Sequence, residues 1–173
     1  MKTLKELRFK NPYETRKMGC NLKSLKRLYK IDFNVYLESR KMNLQRPLVW
    51  TLYQKRELVW SVFLDRPIPD IAIINRYPDE SDLNVIEIID GKQRFHTLLE
   101  FLDNQFTIEI EGIEYFLKDL PYEYQIEFEN YYVRYIEVLE YENKIPDSFK
   151  IEWFKQINFA GTPQEKEHID RLN

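Results

Sequence analysis

Several residue types are scarce in this sequence of 173 amino acids, and each scarcity excludes a class of protein. The single cysteine, Cys20, excludes a framework of internal disulfides, and one cysteine with two histidines excludes a His/Cys zinc site. No uncharged apolar run approaches the length of a membrane-spanning helix. The first residues, MKTLKELRFK, lack the apolar stretch of a secretory signal. We therefore expect a cytoplasmic protein with no membrane partner.

Apolar and aromatic residues are abundant. They make up 43% and 15% of the chain, which is enough to form a core and excludes disorder of the whole chain. The length favours one domain. Strand-like and helix-like patterns follow one another along the chain, so we expect a mixed α/β or α+β domain.

The charges are unevenly distributed. Residues 1–60 carry 15 Lys+Arg against 5 Asp+Glu, a balance of +10, whereas residues 61–173 have a balance of −13. The basic part could face phosphate groups, or the two parts could neutralise each other in the fold. Residues 1–23 are predicted to form a basic arm, which leaves residues 24–173 as the domain.

The periodicity of apolar residues predicts the elements of that domain. Strands are expected at 32–38, 71–74, 85–89 and 132–141, with a hairpin over 106–117. Helices are expected at 23–30, from Thr51 in a capping box, at 95–102, at 122–129, and from Asp147 or Ser148. Gly161, followed by Pro163, is typical of the end of that last helix.

The strongest chemical signal is the segment Asp-Gly-Lys-Gln-Arg at residues 90–94, between a predicted strand and a helix. A helix begins with free N–H groups and a partial positive charge, which attract anions. Gly91 allows close approach to the backbone, while Lys92 and Arg94 add positive charge. Asp90 could hold a divalent metal or cap the helix, and Gln93 could polarise a water or bind a ligand. The alternative is an ordinary turn at a strand–helix junction.

Two further segments carry weaker signals. Gln45 and Arg46 precede Pro47 and a capped helix, so Arg46 could reach the same site or lie in solvent. Asn158 comes near the end of the last helix, before Gly-Thr-Pro at residues 161–163, and could donate a hydrogen bond to a ligand. Nothing local decides between these alternatives.

Together these segments resemble the N-terminal domain of GmrSD-type modification-dependent restriction enzymes. The resemblance rests on Gln-Arg-Pro at 45–47, Arg-Pro-Ile-Pro at 66–69, the 90–94 segment and Gly-Thr-Pro at 161–163, which follow in the family's order and spacing. It covers roughly residues 24–165. It implies a fold related to ParB and sulfiredoxin.

The resemblance also implies a site that binds, and in the family hydrolyses, a nucleoside triphosphate, here with Mg²⁺. Carried over by position, the phosphate site would comprise Asp90, Gly91, Gln93 and Arg94, lined by Gln45 and Arg46 and approached by Asn158. We assign catalytic roles to Asp90, Gln93 and Arg94, with Asp90 as the metal ligand. Lys92 replaces the family's usual glutamine.

The chemistry and the partners leave alternatives open. With two histidines the chain cannot form a His-His-Asn nuclease site, so we expect no nuclease activity from it alone, and DNA cleavage would need a separate nuclease or host protein. A second hypothesis is a non-enzymatic module that binds DNA or protein, such as a phage or mobile-element regulator. A third is a ParB-like protein that binds DNA under nucleotide control.

Overall fold

A mixed five-stranded sheet forms the centre of the protein, in a computed structural model that describes residues 12–77, 83–141 and 143–159. The strands are β1 (Thr15–Asn21), β2 (Tyr29–Asp32), β3 (Tyr36–Leu37), β4 (Met42–Asn43), β5 (Ile71–Arg76), β6 (Asn84–Asp90), β7 (Ile108–Ile110), β8 (Ile113–Tyr115) and β9 (Tyr132–Glu140). The helices are α1 (Leu22–Leu28), α2 (Leu52–Phe63), α3 (Lys92–Leu102), α4 (Tyr122–Glu129) and α5 (Asp147–Phe159).

The order of the strands in the central sheet is β1-β9-β5-β6-β2. Strand β6 is parallel to β2 and antiparallel to β5, and β5 is parallel to β9. Consequently β6 and β2 end at the same edge of the sheet, where β5 and β9 begin. We call this the carboxyl edge of β6, and the other the opposite edge. Both outer strands, β1 and β2, come from residues 15–32.

Each face of the sheet is covered by its own apolar core. Because side chains alternate along a strand, Ile86 and Ile88 of β6 point to one core and Ile89 to the other. Helices α1 to α4 supply residues to the first core, and α5 with the short β3–β4 pair supplies the second. The mixed α/β fold expected from the sequence is thereby confirmed. No helix within the described ranges is long and apolar enough to cross a membrane.

Most of the predicted elements are present. The Thr51 hydroxyl accepts a hydrogen bond from the Gln54 amide at 3.3 Å, and the Gln54 side chain accepts one from the Thr51 amide at 2.9 Å, which completes the capping box of α2. The β7–β8 hairpin turns through Glu111 and Gly112, both with positive φ, as a tight hairpin turn requires.

Two predictions in the first forty residues are wrong. The strand expected at 32–38 is interrupted: β2 ends at Asp32, whose carboxylate accepts a hydrogen bond from the Asn34 amide at 2.7 Å, and such a side-chain turn competes with strand pairing. The basic arm expected over residues 1–23 is also wrong in part. Residues 15–21 form β1 along β9, and the Asn21 side chain caps α1.

The last helix begins where expected, and its first residue contacts another segment of the chain. Asp147 is the first residue of α5, and its carboxylate accepts a hydrogen bond from the Ser39 amide at 2.8 Å, which ties the helix to the β3–β4 turn. The predicted helix end at Gly161 and Pro163 lies outside the described residues.

Candidate functional site

Helix α3 begins directly after β6 ends, at the carboxyl edge, with Gly91 as its N-cap. Gly91 has φ +86°, and a Cβ there would lie 2.4 Å from Cγ2 of Ile71, so both the backbone and the packing require glycine. No side chain caps the helix. The first-turn amides therefore keep the anion-attracting character predicted from the sequence.

The side chains of Asp90 and Arg94 pair with each other one turn apart. The Arg94 Nη2 donates to Asp90 Oδ2 at 3.1 Å and to the carbonyl oxygen of Asp70 at 3.3 Å. Asp90 therefore does not cap the helix, which corrects one of the two roles considered for it. The Arg94 Nε is buried and has no hydrogen-bond partner among the described residues, so the guanidinium has an unused donor.

Gln93 contacts the chain segment that precedes α2. Its Oε1 accepts hydrogen bonds from the amides of Val49 at 3.1 Å and Trp50 at 3.3 Å, and its Nε2 donates to the Pro47 carbonyl at 2.9 Å. The structure thus brings together two segments that the sequence separates by more than forty residues.

Gln45 joins the same assembly from the other end of that segment, which we call the 45–50 loop. Its Nε2 donates to the carbonyl oxygen of Ile89 at 2.7 Å, immediately before Asp90. Its Oε1 is buried and has no partner among the described residues. Arg46 follows and is exposed. Three of the predicted site positions, 45, 46 and 93, therefore lie at the carboxyl edge beside Asp90.

Lys92 extends in a different direction. Its Nζ lies 3.4 Å from Oδ1 of Asn34, beyond the end of β2, whereas Arg94 reaches the start of β5 on the other side of β6. Only 7% of Lys92 is exposed. Burial lowers its pKa below the ordinary value of a lysine, while the nearby Asp32 acts to raise it.

Asn158 is not joined to the other predicted site residues. Its amide nitrogen donates to the Phe154 carbonyl at 2.8 Å within α5, and no hydrogen bond connects it to the 90–94 segment in the described parts of the chain. Its predicted role in the site stays a prediction.

Acidic side chains do not surround Asp90. Across residues 12–77, 83–141 and 143–159, no three His, Cys, Asp or Glu side chains are grouped so that they could hold a metal ion. Mg²⁺ is ordinarily bound through one or two carboxylates, with phosphate oxygens and water completing its shell. A single carboxylate at Asp90 fits that pattern when a nucleotide supplies the phosphates.

Sequence reasoning missed Asp70 and Arg134. The Arg134 Nε lies 3.1 Å from Oδ1 of Asp70, and the Asp70 carbonyl holds Arg94. Asp70 follows the Pro-Ile-Pro step into β5, and that position directly before a buried strand is a signal that could have found it.

Part of the basic charge of the first sixty residues is neutralised within the fold. Four of these side chains pair with acids from the later part of the chain. The pairs are Lys23–Glu129, Lys26–Asp103, Lys55–Glu100 and Arg56–Glu114. This agrees with the alternative in which the two parts of the chain balance each other.

Comparison with protein families gives one match. The family model of the GmrSD restriction endonuclease N-terminal domain matches residues 33–172, well over half of the chain. The matched range includes the 45–50 loop and the 90–94 segment. Neither the curated proteins nor the solved structures gave a significant match.

Proposed function

The chain belongs to the GmrSD restriction endonuclease N-terminal domain family, which implies a role related to restriction or defence, and from that premise we propose that it binds a nucleoside triphosphate at the carboxyl edge of β6. The observation that carries the proposal is the start of α3. An uncapped helix N-terminus opens there behind Gly91, with Arg94 one turn inside.

Each part of the site has a task in this proposal. The first-turn amides of α3, including that of Lys92, bind phosphate oxygens, and Arg94 neutralises their charge through its guanidinium. Arg46, exposed on the 45–50 loop next to Gln45, which is bound to Ile89, adds a second positive charge. The Lys92 ammonium is buried beside Asn34, on the other side of β6 from Arg94.

The Asp90–Arg94 pair supports a dependence on divalent metal. In the structure the guanidinium is neutralised by Asp90 at 3.1 Å, so a phosphate and this carboxylate compete for the same cation. Mg²⁺, when bound, would supply charge neutralisation for the phosphates. Asp90 is the residue that would hold it, and by turning to the metal it leaves Arg94 available for phosphate. Binding of metal and nucleotide is then mutually reinforcing.

The first experiment is isothermal titration of ATP, GTP, CTP and UTP, with and without Mg²⁺, into wild type and Arg94→Ala. We expect one or more nucleotides to bind wild type and Arg94→Ala to lose at least about tenfold in affinity, as expected for loss of a charge-assisted contact. Arg27→Ala is the control, since it removes an exposed arginine of α1, outside the site. No binding to folded wild type would overturn the proposal, and so would equal losses in both variants.

A second variant tests the role of Asp90. If Asp90 holds the metal, Asp90→Asn weakens binding in Mg²⁺ and leaves little difference between titrations with and without the metal. If Asp90 only neutralises Arg94, Asp90→Asn strengthens binding without Mg²⁺. Release of phosphate from the bound nucleotide, measured on the same proteins, tests for hydrolysis.

A further inference from the structure

The 45–50 loop is attached to the rest of the site mainly by side-chain amides. Gln93 makes three hydrogen bonds to its backbone, and Gln45 makes one to the end of β6. The loop's own apolar side chains contribute little, because Leu48 is 43% exposed and Val49 is 55% exposed. Trp50, which packs against the first core, is the point where the loop rejoins the interior.

All the polar atoms of the Gln93 side chain are engaged by these contacts. The Oε1 accepts from two amides and the Nε2 donates to one carbonyl. A carboxylate at this position lacks the donor, and a thioether lacks both groups, so glutamine alone among residues of this length satisfies the loop.

Arg46 lies between the two attachments. Gln45, the residue before it, is bound to the carbonyl of Ile89, and the Gln93 Nε2 donates to the carbonyl of Pro47, the residue after it, at 2.9 Å. The Arg46 side chain itself is exposed. The backbone on either side of Arg46, from which this guanidinium extends, is therefore held by two side-chain amides, those of Gln45 and Gln93.

From this geometry we infer that Gln93 is a positioning residue that acts through the 45–50 loop, holding Arg46 where it binds the phosphates of the nucleotide. The identity of the ligand in this inference rests on the proposed function. The attachment of the loop rests only on the hydrogen bonds of Gln93 and Gln45. It differs from the catalytic role expected for Gln93 from the sequence, which stays a prediction.

The attachment is tested without any ligand, by amide hydrogen exchange resolved by NMR. The amides of Val49 and Trp50 donate to Gln93, so they are protected in wild type, and in Gln93→Met they should exchange about tenfold faster or more, since their acceptor is gone. The Phe95 amide, which donates to the Gly91 carbonyl at 2.9 Å, should stay protected and shows that α3 is intact. Gln105→Met, a change in an exposed glutamine outside the loop, is the control variant.

The coupling to Arg46 is tested by titrating ATP and GTP with Mg²⁺ into wild type, Arg46→Ala, Gln93→Met and the double variant. If Gln93 acts through the loop, the double variant loses no more affinity than Arg46→Ala alone, because the two changes remove the same contact. Losses that multiply would show that Gln93 acts on its own and would overturn the inference.

Other outcomes separate this inference from the proposed function. Unchanged exchange at Val49 and Trp50 in Gln93→Met overturns the inference, whatever the nucleotide does. Full nucleotide affinity in Gln93→Met also overturns it, while leaving the proposed function in place. If wild type binds no nucleotide although Gln93→Met releases both amides, the proposed function fails and the attachment of the loop is confirmed.

Discussion

Two groups of charged side chains on the central sheet differ in how they are buried and paired. Near the middle of β6, the Lys150 Nζ lies 2.5 Å from Glu87, with the side chains 2% and 5% exposed, and Arg76 at the opposite edge joins Glu87 to Glu140. At the carboxyl edge of β6, Arg94 and Asp90 are 23% and 17% exposed. In the first group, which we call the internal ion-pair network, Lys150, Glu87 and Glu140 are almost fully buried while Arg76 is 36% exposed, and in the second group both charged side chains are partly exposed.

The difference separates a structural use of charge from a use suited to binding. In the internal network each charge has an opposite charge, and Glu140 also accepts a hydrogen bond from the Ile145 amide at 2.7 Å. Its ions are satisfied, as buried ions must be. Within the described residues, the carboxyl edge keeps a buried Arg94 Nε and a buried Gln45 Oε1 without partners, and the Oδ1 of Asn75, next to Arg76, also has none. Unpaired polar atoms beside an uncapped helix leave capacity for a ligand.

The largest expected effect comes from breaking the internal network. Glu87→Ala removes the partner of Lys150 and one partner of Arg76, and leaves an uncompensated buried charge, which should lower the free energy of unfolding by about 3–5 kcal/mol. Asp90→Ala at the carboxyl edge should cost about 1 kcal/mol, the contribution of one hydrogen bond. Urea denaturation of both variants checks the comparison, which fails if the two losses are equal.

A smaller contribution, the packing of Gly91 against Ile71 at the carboxyl edge, is isolated by comparing two glycine variants. Gly91→Ala forces alanine into φ +86° and towards Ile71, whereas Gly112→Ala meets the same strain at φ +81° with no neighbour within 4 Å. Each should lose about 1–3 kcal/mol from backbone strain. Gly91→Ala should lose about 1–3 kcal/mol more from overpacking against Ile71. The difference in stability loss between the two variants, measured by thermal and urea unfolding, gives the cost of overpacking against Ile71. Identical losses would show that the Ile71 side chain moves aside without cost.

The smallest effect concerns the buried amine of Lys92. Burial lowers its pKa in the folded protein, so the charged form opposes folding at pH 7, and Lys92→Met should be as stable as wild type or more stable, by less than about 1 kcal/mol. As the pH rises past the lowered pKa of Lys92 in the folded protein, towards the unfolded value of about 10.4, folded wild type loses this proton. The cost of burying the charge then disappears. The advantage of Lys92→Met should then shrink.

Urea denaturation between pH 7 and pH 10.5 measures that trend. Lys30→Met replaces an exposed lysine of β2 and controls for the general effect of removing a positive charge. An advantage that grows with pH would contradict the assignment of the cost to burial of the Lys92 ammonium.

Much of the fold could be predicted because its strands and helices depend on short stretches of sequence. The apolar runs that became β5 and β6, and the helical spacing that became α3, require only neighbouring residues. The wrong strand at 32–38 shows the limit of such patterns. The alternation was present, but a hydrogen bond from the backbone amide of Asn34 to the Asp32 carboxylate outweighed it.

The candidate site was predicted as a set of positions, and its contacts were not. Gln93 and the 45–50 loop are more than forty residues apart, and no local pattern indicates that one amide side chain will serve three backbone groups of the other. The pairing of Asp90 with Arg94 depends on which of two open roles the carboxylate takes. In the structure Arg94 also donates to the carbonyl of Asp70, directly before a neighbouring strand, a contact that no local pattern indicates.

The origin of the two outer strands has a practical consequence for dissecting the domain. The family match begins at residue 33, yet β1 and β2, which close the sheet on its two sides, both lie before that residue. A protein trimmed to the matched range would retain β9, β5 and β6 as a three-stranded sheet with both flanks bare. Unpaired backbone groups on exposed strands recruit other chains, so such a fragment should self-associate more than the longer chain. Aggregation of a fragment that starts at residue 33 would then reflect two missing strands rather than a defective site.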